Sequence, residues 1–149
     1  MILIKSFKQL VQNIQQSKNE QHQHAIEIAC AALLYEVARA DDHFSPDEQA
    51  ALNLLIKQRF HLSGDEIKAI VKLATDQVES ATDYYQFTKV VNEQLSIQDK
   101  RELLVMLWRV ANIDDHVDPH EEHTIRRIAD LLNLRHSEFI QSKHQALGI

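Results

Sequence analysis

Glycine and proline are scarce in this sequence, and their scarcity limits the folds that the chain can adopt. Among 149 residues there are two glycines and two prolines. An all-β protein needs many tight turns built on these residues, whereas long helices need few breaks. Apolar residues also recur at helical spacing. The sequence therefore predicts an all-α protein, and its length suits a single domain over residues 1–149.

The apolar spacing predicts a bundle of about seven to eight helices. Four of the expected helices cover residues 4–17, 24–40, 83–94 and 137–145. The other four are expected to begin at Pro46, after Gly64, after Ser96 and at Pro119. The aromatic residues at helical spacing are expected in the core, namely Trp108, Tyr84, Tyr85 and Phe87. Cys30 lies on an apolar helix and is expected to be a buried thiol rather than a nucleophile.

Charge and cysteine content indicate the environment and the partners of the chain. The formal net charge is −6 and no basic run occurs, which argues against a nucleic-acid partner. A single cysteine excludes an internal disulfide and fits a reducing compartment. No stretch approaches the roughly 20 apolar residues of a membrane span, and the apolar start is too short for a signal peptide. We therefore expect a cytoplasmic protein without direct membrane insertion.

One segment of the sequence occurs twice. Residues 37–48 read VARADDHFSPDE and residues 110–121 read VANIDDHVDPHE, identical at seven of twelve positions with an offset of 73. The similarity continues more loosely, because residues 60–62 match 132–134 at an offset of 72. We interpret this as a duplicated helix-turn-helix unit with halves at about 25–79 and 97–149, packed as a pseudo-two-fold pair.

Each copy of the repeat carries the signals that start a helix. Ser45 and Asp118 stand at the expected N-cap, and a proline follows each at the first helical position. Glu48 and Glu121 come three residues after these caps, where a carboxylate can accept a hydrogen bond from the cap N–H. Capping alone is therefore a sufficient structural explanation for the two glutamates.

Capping does not explain the paired aspartates that precede each N-cap residue. Asp41–Asp42 and Asp114–Asp115 follow the C-terminus of a helix, where the helix dipole disfavours negative charge. A bound divalent cation would relieve this crowding, and oxygen ligands favour Ca²⁺ or Mg²⁺. The neighbouring His43 and His116 leave Zn²⁺ or Mn²⁺ open. The predicted metal ligands are Asp41, Asp42, Glu48, Asp114, Asp115 and Glu121.

No motif for a known metal site or catalytic site is complete. Leu52 and Ile125 occupy position 12 of an EF-hand counted from Asp41 or Asp114, where that loop needs glutamate. The string HEEHT has Thr124 where a zinc protease needs histidine. No nucleophile–base pair is recognisable, so an enzyme is disfavoured. A large pocket holding carboxylates with raised pKa would favour one.

The repeated turns resemble those of the TerB-like tellurite-resistance domains. That family has Ala-Asp-Gly, then a hydrophobic residue, and a glutamate seven residues after the aspartate, a pattern matched by Asp41 with Glu48 and by Asp114 with Glu121. The similarity covers about residues 25–139. Asp42 and Asp115 replace the family's glycine. The resemblance implies an all-helical fold, a link to tellurite or other stress resistance, metal binding through the acidic turns, and work in multiprotein assemblies at the inner membrane.

Three functions remain open at the level of sequence. The first is a non-enzymatic, stress-related interaction module with protein partners, which binds a divalent cation through the two acidic turns. The second is a purely structural adaptor without metal, in which the turns only start helices. The third and least favoured is a metal-dependent hydrolase.

Overall fold

The computed structural model describes residues 24–40 and 45–149, which contain seven helices and no strand. The first helix, α1, covers residues 24–38. The others are α2 (Pro46–Phe60), α3 (Gly64–Ser80), α4 (Tyr85–Gln94), α5 (Ile97–Ala111), α6 (Pro119–Leu131) and α7 (His136–Leu147). The predicted all-α class is therefore confirmed. The expected helix over residues 4–17 lies outside the described residues.

Two helices, α1 and α5, occupy the centre of the bundle. Residues 29–34 of α1 and residues 103–108 of α5 are all buried, and burial on α5 continues at Val110 and Ala111. Helices that are apolar around most of their circumference must be covered on most sides. The other five helices supply this cover, and all seven contribute to one hydrophobic cluster. None of the helices in the described ranges is long and apolar enough to cross a membrane.

Trp108 fixes the packing of α5 against α7. Its side chain is fully buried, and its ring lies 5.1 Å from that of Phe139, centroid to centroid. The indole Nε1 donates to Ser142 Oγ at 3.1 Å, and that hydroxyl donates to the Phe139 carbonyl at 2.7 Å. The indole N–H is thus satisfied in an apolar core, as a buried tryptophan requires. The expectation that Trp108 belongs to the core is confirmed.

The expected burial of the aromatic group on α4 is correct only in part. Phe87 is buried, Tyr84 is half-buried, and Tyr85 is 61% exposed. The prediction for Tyr85 is therefore wrong. Because α4 begins at Tyr85 and advances 100° per residue, Tyr85 lies about 200° around the helix from Phe87. Tyr84, three residues before Phe87, shares its side of the helix and packs against the core.

The predicted helix starts are confirmed by their hydrogen bonds. Ser45 Oγ accepts from the Glu48 N–H at 3.2 Å and caps α2. Asp118 and Glu121 form a reciprocal capping box at the start of α6. A further capping box joins Ser63 and Glu66 at the start of α3, which the sequence analysis did not identify although the Ser-x-x-Glu pattern is present.

The helix boundaries follow the offsets of the sequence repeat. α1 ends at residue 38 and α5 ends at residue 111, an offset of 73 positions. After α2 and α6, His61 and Asn133 adopt left-handed backbone conformations, with φ of 54° and 60°. The next residues, Leu62 and Leu134, each donate to the carbonyl five residues earlier. The duplication and its pseudo-two-fold symmetry stay predictions, with matching local structure in support.

The hydrogen bond from Trp108 yields a stability prediction. Ser142→Ala should lower the free energy of unfolding by about 1–3 kcal/mol, because it leaves a buried indole N–H without an acceptor. Urea unfolding followed by circular dichroism measures the loss. Ser80→Ala is a matched control, since Ser80 Oγ also donates to a carbonyl three residues earlier but lies exposed on α3. Equal losses in both variants would contradict the role given to the Trp108–Ser142 bond.

Candidate metal-binding turns and the adjoining cleft

The first acidic turn is described only on its C-terminal side. Asp41 and Asp42 lie outside the described residues. Ser45 and Glu48 follow them at the start of α2, and the Glu48 carboxylate is buried, with 8% of the residue exposed. The first turn of a helix favours a carboxylate electrostatically, because the helix dipole places partial positive charge there. Glu48 therefore has a sound structural reason for its position, whatever else it binds.

The second acidic turn is described throughout, and its carboxylates fall into two groups. Asp114 and Asp115 are exposed beyond the end of α5. Glu121 is buried, 3% exposed, and its Oε1 accepts from the Asp118 N–H at 3.1 Å. Asp118 Oδ1 accepts in turn from the His120 N–H at 2.8 Å. The two aspartates are thus available to a ligand from solvent, whereas Glu121 is engaged in capping α6.

Asp115 supplies the backbone geometry that glycine would supply in the family pattern. Its φ is 62°, in the left-handed region, and its N–H donates to the Asn112 carbonyl at 3.0 Å. Aspartate tolerates this conformation better than most residues, since its short polar side chain can hydrogen-bond locally. Asp114 Oδ1 accepts from the His116 N–H at 3.3 Å and helps to close the same turn. Replacing glycine with aspartate therefore keeps the turn and adds a charge.

The predicted six-carboxylate metal site stays a prediction. Among residues 24–40 and 45–149, no group of three or more His, Cys, Asp or Glu side chains could hold a metal ion. The second turn therefore does not form such a group from its own described side chains, and the predicted site needs both turns. Leu52 and Ile125, at the EF-hand position for a bidentate ligand, are fully buried in the core.

A surface cleft lies beside the start of α6. Its volume is about 640 Å³, and its lining includes Ala40, two residues after the end of α1, and His120 at the start of α6. Ala40 directly precedes Asp41 in the sequence, and His120 comes two residues after Asp118. A contiguous recess of about 540 Å³ shares four lining residues with it, namely Glu36, Arg39, Tyr84 and His123. The cleft is therefore lined by the residue that precedes Asp41 and by the first turn of α6.

Glu36 is a buried carboxyl group in the wall of this cleft. The residue is 9% exposed, and its Oε1 accepts from the Arg39 guanidinium at 3.2 Å. Burial raises the pKa of the Glu36 carboxyl, and the positive charge of Arg39 partly opposes that rise. Sequence reasoning missed Glu36 because the cleft is assembled from three parts that are distant along the chain. These are α1, the segment that precedes α4, and α6. No sequence pattern near Glu36 indicated this burial.

Cys30 is a buried thiol in the core. The residue is 2% exposed, and burial raises the pKa of its thiol to about 12. Only a thiolate attacks efficiently, so a thiol that stays protonated at neutral pH is inert. The expectation of a core thiol is confirmed.

Together the described helices define an all-helical module in which an acidic segment of the sequence twice precedes a capped helix. The family model described as Tellurite resistance protein TerB matches residues 27–144, which is more than half of the chain. The chain belongs to the TerB family. Comparison with curated proteins and with solved structures finds no match.

The left-handed conformation of Asp115 predicts opposite effects for two substitutions. Asp115→Ala should destabilise the protein by about 1 kcal/mol, because a Cβ without a local hydrogen-bonding group disfavours positive φ. Asp115→Gly should be neutral or stabilising, since glycine adopts this conformation freely. Thermal unfolding of both variants in the presence of a chelator measures the difference. The same ranking at Asp114, whose side chain only caps the turn, would contradict the assignment of strain to Asp115.

Two glutamates should give pH dependences of opposite sign. The folded-state pKa of Glu36 is raised, so its carboxyl favours folding at low pH and loses that advantage as pH rises through the raised value. Relative to Glu36→Gln, the parent protein should therefore become less stable from about pH 4 upward.

Glu66 provides the matched control for this measurement. Its pKa is lowered by hydrogen bonds within the Ser63 capping box, so its contribution is present above the ordinary pKa of glutamate and is lost as pH falls. Chemical unfolding of Glu36→Gln and Glu66→Gln across this pH range should give slopes of opposite sign relative to the parent. Slopes of the same sign would contradict the burial argument for Glu36.

Proposed function

We propose that this protein is a non-enzymatic interaction module in tellurite or related stress resistance, which binds a divalent cation through its two acidic turns. The observation that carries the proposal is that Ala40 and His120, at the borders of the two turns, line the same cleft. We infer that carboxylates from both turns contribute to one ion; of these predicted ligands, Asp41 and Asp42 lie outside the described residues. A shared site of this kind would have more oxygen ligands than either turn alone.

The charge distribution at the second turn supports a cation. Asp114 and Asp115 lie at the C-terminal end of α5, where the helix dipole adds partial negative charge. Neither aspartate forms an ion pair with a described residue. A bound Ca²⁺ or Mg²⁺ would neutralise them with the oxygen ligands that these ions prefer, and Zn²⁺ or Mn²⁺ stay possible through the adjacent histidine.

The ordered turns would then form a surface for a protein partner, and family membership supports a role in stress resistance. We expect the protein to act in the cytoplasm, where it would join a membrane-associated assembly through a partner rather than through a segment of its own. A structural adaptor without metal is the main alternative. In that case Glu48→Ala and Glu121→Ala would lower stability equally with and without ions, because only capping would be lost.

Glu36 keeps the hydrolase as a second candidate function. A buried carboxyl with a raised pKa in a cleft of about 540 Å³ is a feature of acid–base sites. The partner of Glu36, however, is the guanidinium of Arg39. An arginine is not a nucleophile that the Glu36 carboxylate could activate as a base. Activity lost in Glu36→Gln, with ion binding unchanged, would favour the hydrolase over the interaction module.

Cation binding predicts a rise in thermal stability. After chelation, Ca²⁺, Mg²⁺, Zn²⁺ and Mn²⁺ are added back singly while unfolding is followed by calorimetry. Binding to the native state should stabilise the protein by about 2.7 kcal/mol at a hundredfold excess over the dissociation constant. The rise should disappear in the double variant Asp41→Asn/Asp114→Asn, which removes one carboxylate from each turn.

The double variant Asp76→Asn/Asp130→Asn is the control for net charge. It removes the same two charges from exposed positions on α3 and α6, away from the acidic turns. An equal loss of ion response in both double variants would mean that the response depends on the net charge of the protein and not on the acidic turns. No response to any of the four ions at millimolar concentration would refute the cation proposal and leave the structural adaptor.

A further inference from the structure

One side of α6 carries a row of basic groups that line the cleft. His120, His123 and Arg127 follow at intervals of three and four residues, so they share a side of the helix. All three line the two contiguous recesses. Their side chains are exposed, and none forms a hydrogen bond or an ion pair with a described residue. In a chain of net charge −6, this row is a local concentration of unpaired donors.

Both acidic groups of the cleft accept a hydrogen bond from within the protein. Glu36 accepts from the guanidinium of Arg39, and Asp83 Oδ1 accepts from the Tyr85 N–H at 2.9 Å. These bonds leave the donors of Arg127 and the two histidines of α6 for a ligand from solvent. A guanidinium is suited to the paired oxygens of phosphate or carboxylate, since its N–H groups form a planar fork.

Exposed apolar groups lie at the same recess. Tyr85 is 61% exposed and Leu131 is 36% exposed, and both line the part of the cleft with a volume of about 540 Å³. Arg127 lines it as well, one helical turn before Leu131. A basic group beside an exposed ring and an exposed aliphatic side chain suits a ligand with an anionic head and an apolar body. The volume falls within the range of small-molecule sites, about 300–1,000 Å³.

We propose that the cleft between α1, α4 and α6 binds a small organic anion, with its phosphate or carboxylate group on Arg127 and His123 and its apolar part on Tyr85 and Leu131. Arg39 borders the anionic group from α1 and is held in place by Glu36. The site is separate from the predicted cation ligands and does not require a bound ion. It stands or falls independently of the cation proposal.

Titration of the full chain in the presence of a chelator tests this proposal. Phenyl phosphate and benzoate are the probes, and inorganic phosphate is the probe without an apolar part. Binding is followed by calorimetry and by amide chemical shifts. Arg127→Gln should weaken phenyl phosphate about tenfold, since a hydrogen bond to a charged group contributes about 1.5–3 kcal/mol. Tyr85→Ala should weaken both aromatic probes and leave inorganic phosphate unchanged.

Arg109→Gln is the matched control. Arg109 is exposed on α5 and lines a different groove, with Leu55 and Val105, so its loss should leave the affinity within about twofold of the parent. His123→Gln is a second test, because removal of an exposed imidazole leaves the core intact. A preference for phenyl phosphate over benzoate would identify a phosphorylated ligand, and the reverse would identify a carboxylate. Absence of binding at millimolar concentration, or equal losses in Arg127→Gln and Arg109→Gln, would overturn the proposal.

Discussion

Burial of α1 and α5 is the constraint on which the rest of this structure depends. Both helices are apolar around most of their circumference, so each must be surrounded by other helices. After α5 the chain leaves the core through the exposed acidic residues Asp114 and Asp115. The next helix then starts at a strong cap and returns along the core. The second acidic turn is therefore a consequence of the fold as well as a candidate binding element.

In the second turn, some carboxylates cap a helix while others stay exposed to a ligand. Glu121 and Asp118 satisfy each other's backbone donors at the start of α6, and this fixes the entry of the helix. Asp115 bends the chain through a left-handed conformation, and its carboxylate stays exposed. The two aspartates help to shape this turn, but neither carboxylate has a cationic partner among the described residues. Their charge is unfavourable at the C-terminus of α5, and this cost is the physical reason to infer a ligand.

The cleft beside the turns has a different origin. Its walls come from the end of α1, the segment before α4, and one side of α6, which meet only after the bundle has packed. Glu36 illustrates the consequence. On α1 it looks like an ordinary charged residue near a helix end, but packing buries it, raises its pKa and pairs it with Arg39. Arg127 faces the same cleft without such a partner in the described part of the chain.

The sequence by itself determined the helical class, most helix boundaries, the caps at Ser45 and Asp118, and the family, because these depend on residues close along the chain. Periodicity and capping are local properties, and the repeat at an offset of 73 made the second turn interpretable from the first. Tertiary structure alone decided which aromatic residues are buried and which polar groups meet. Tyr85 is exposed because α4 starts at that residue and packs against the core through Phe87. Glu36 and His123 line the same cleft only because α1 and α6 are neighbours in the folded protein. Burial and long-range proximity depend on the packing of separate helices, and no local pattern encodes them.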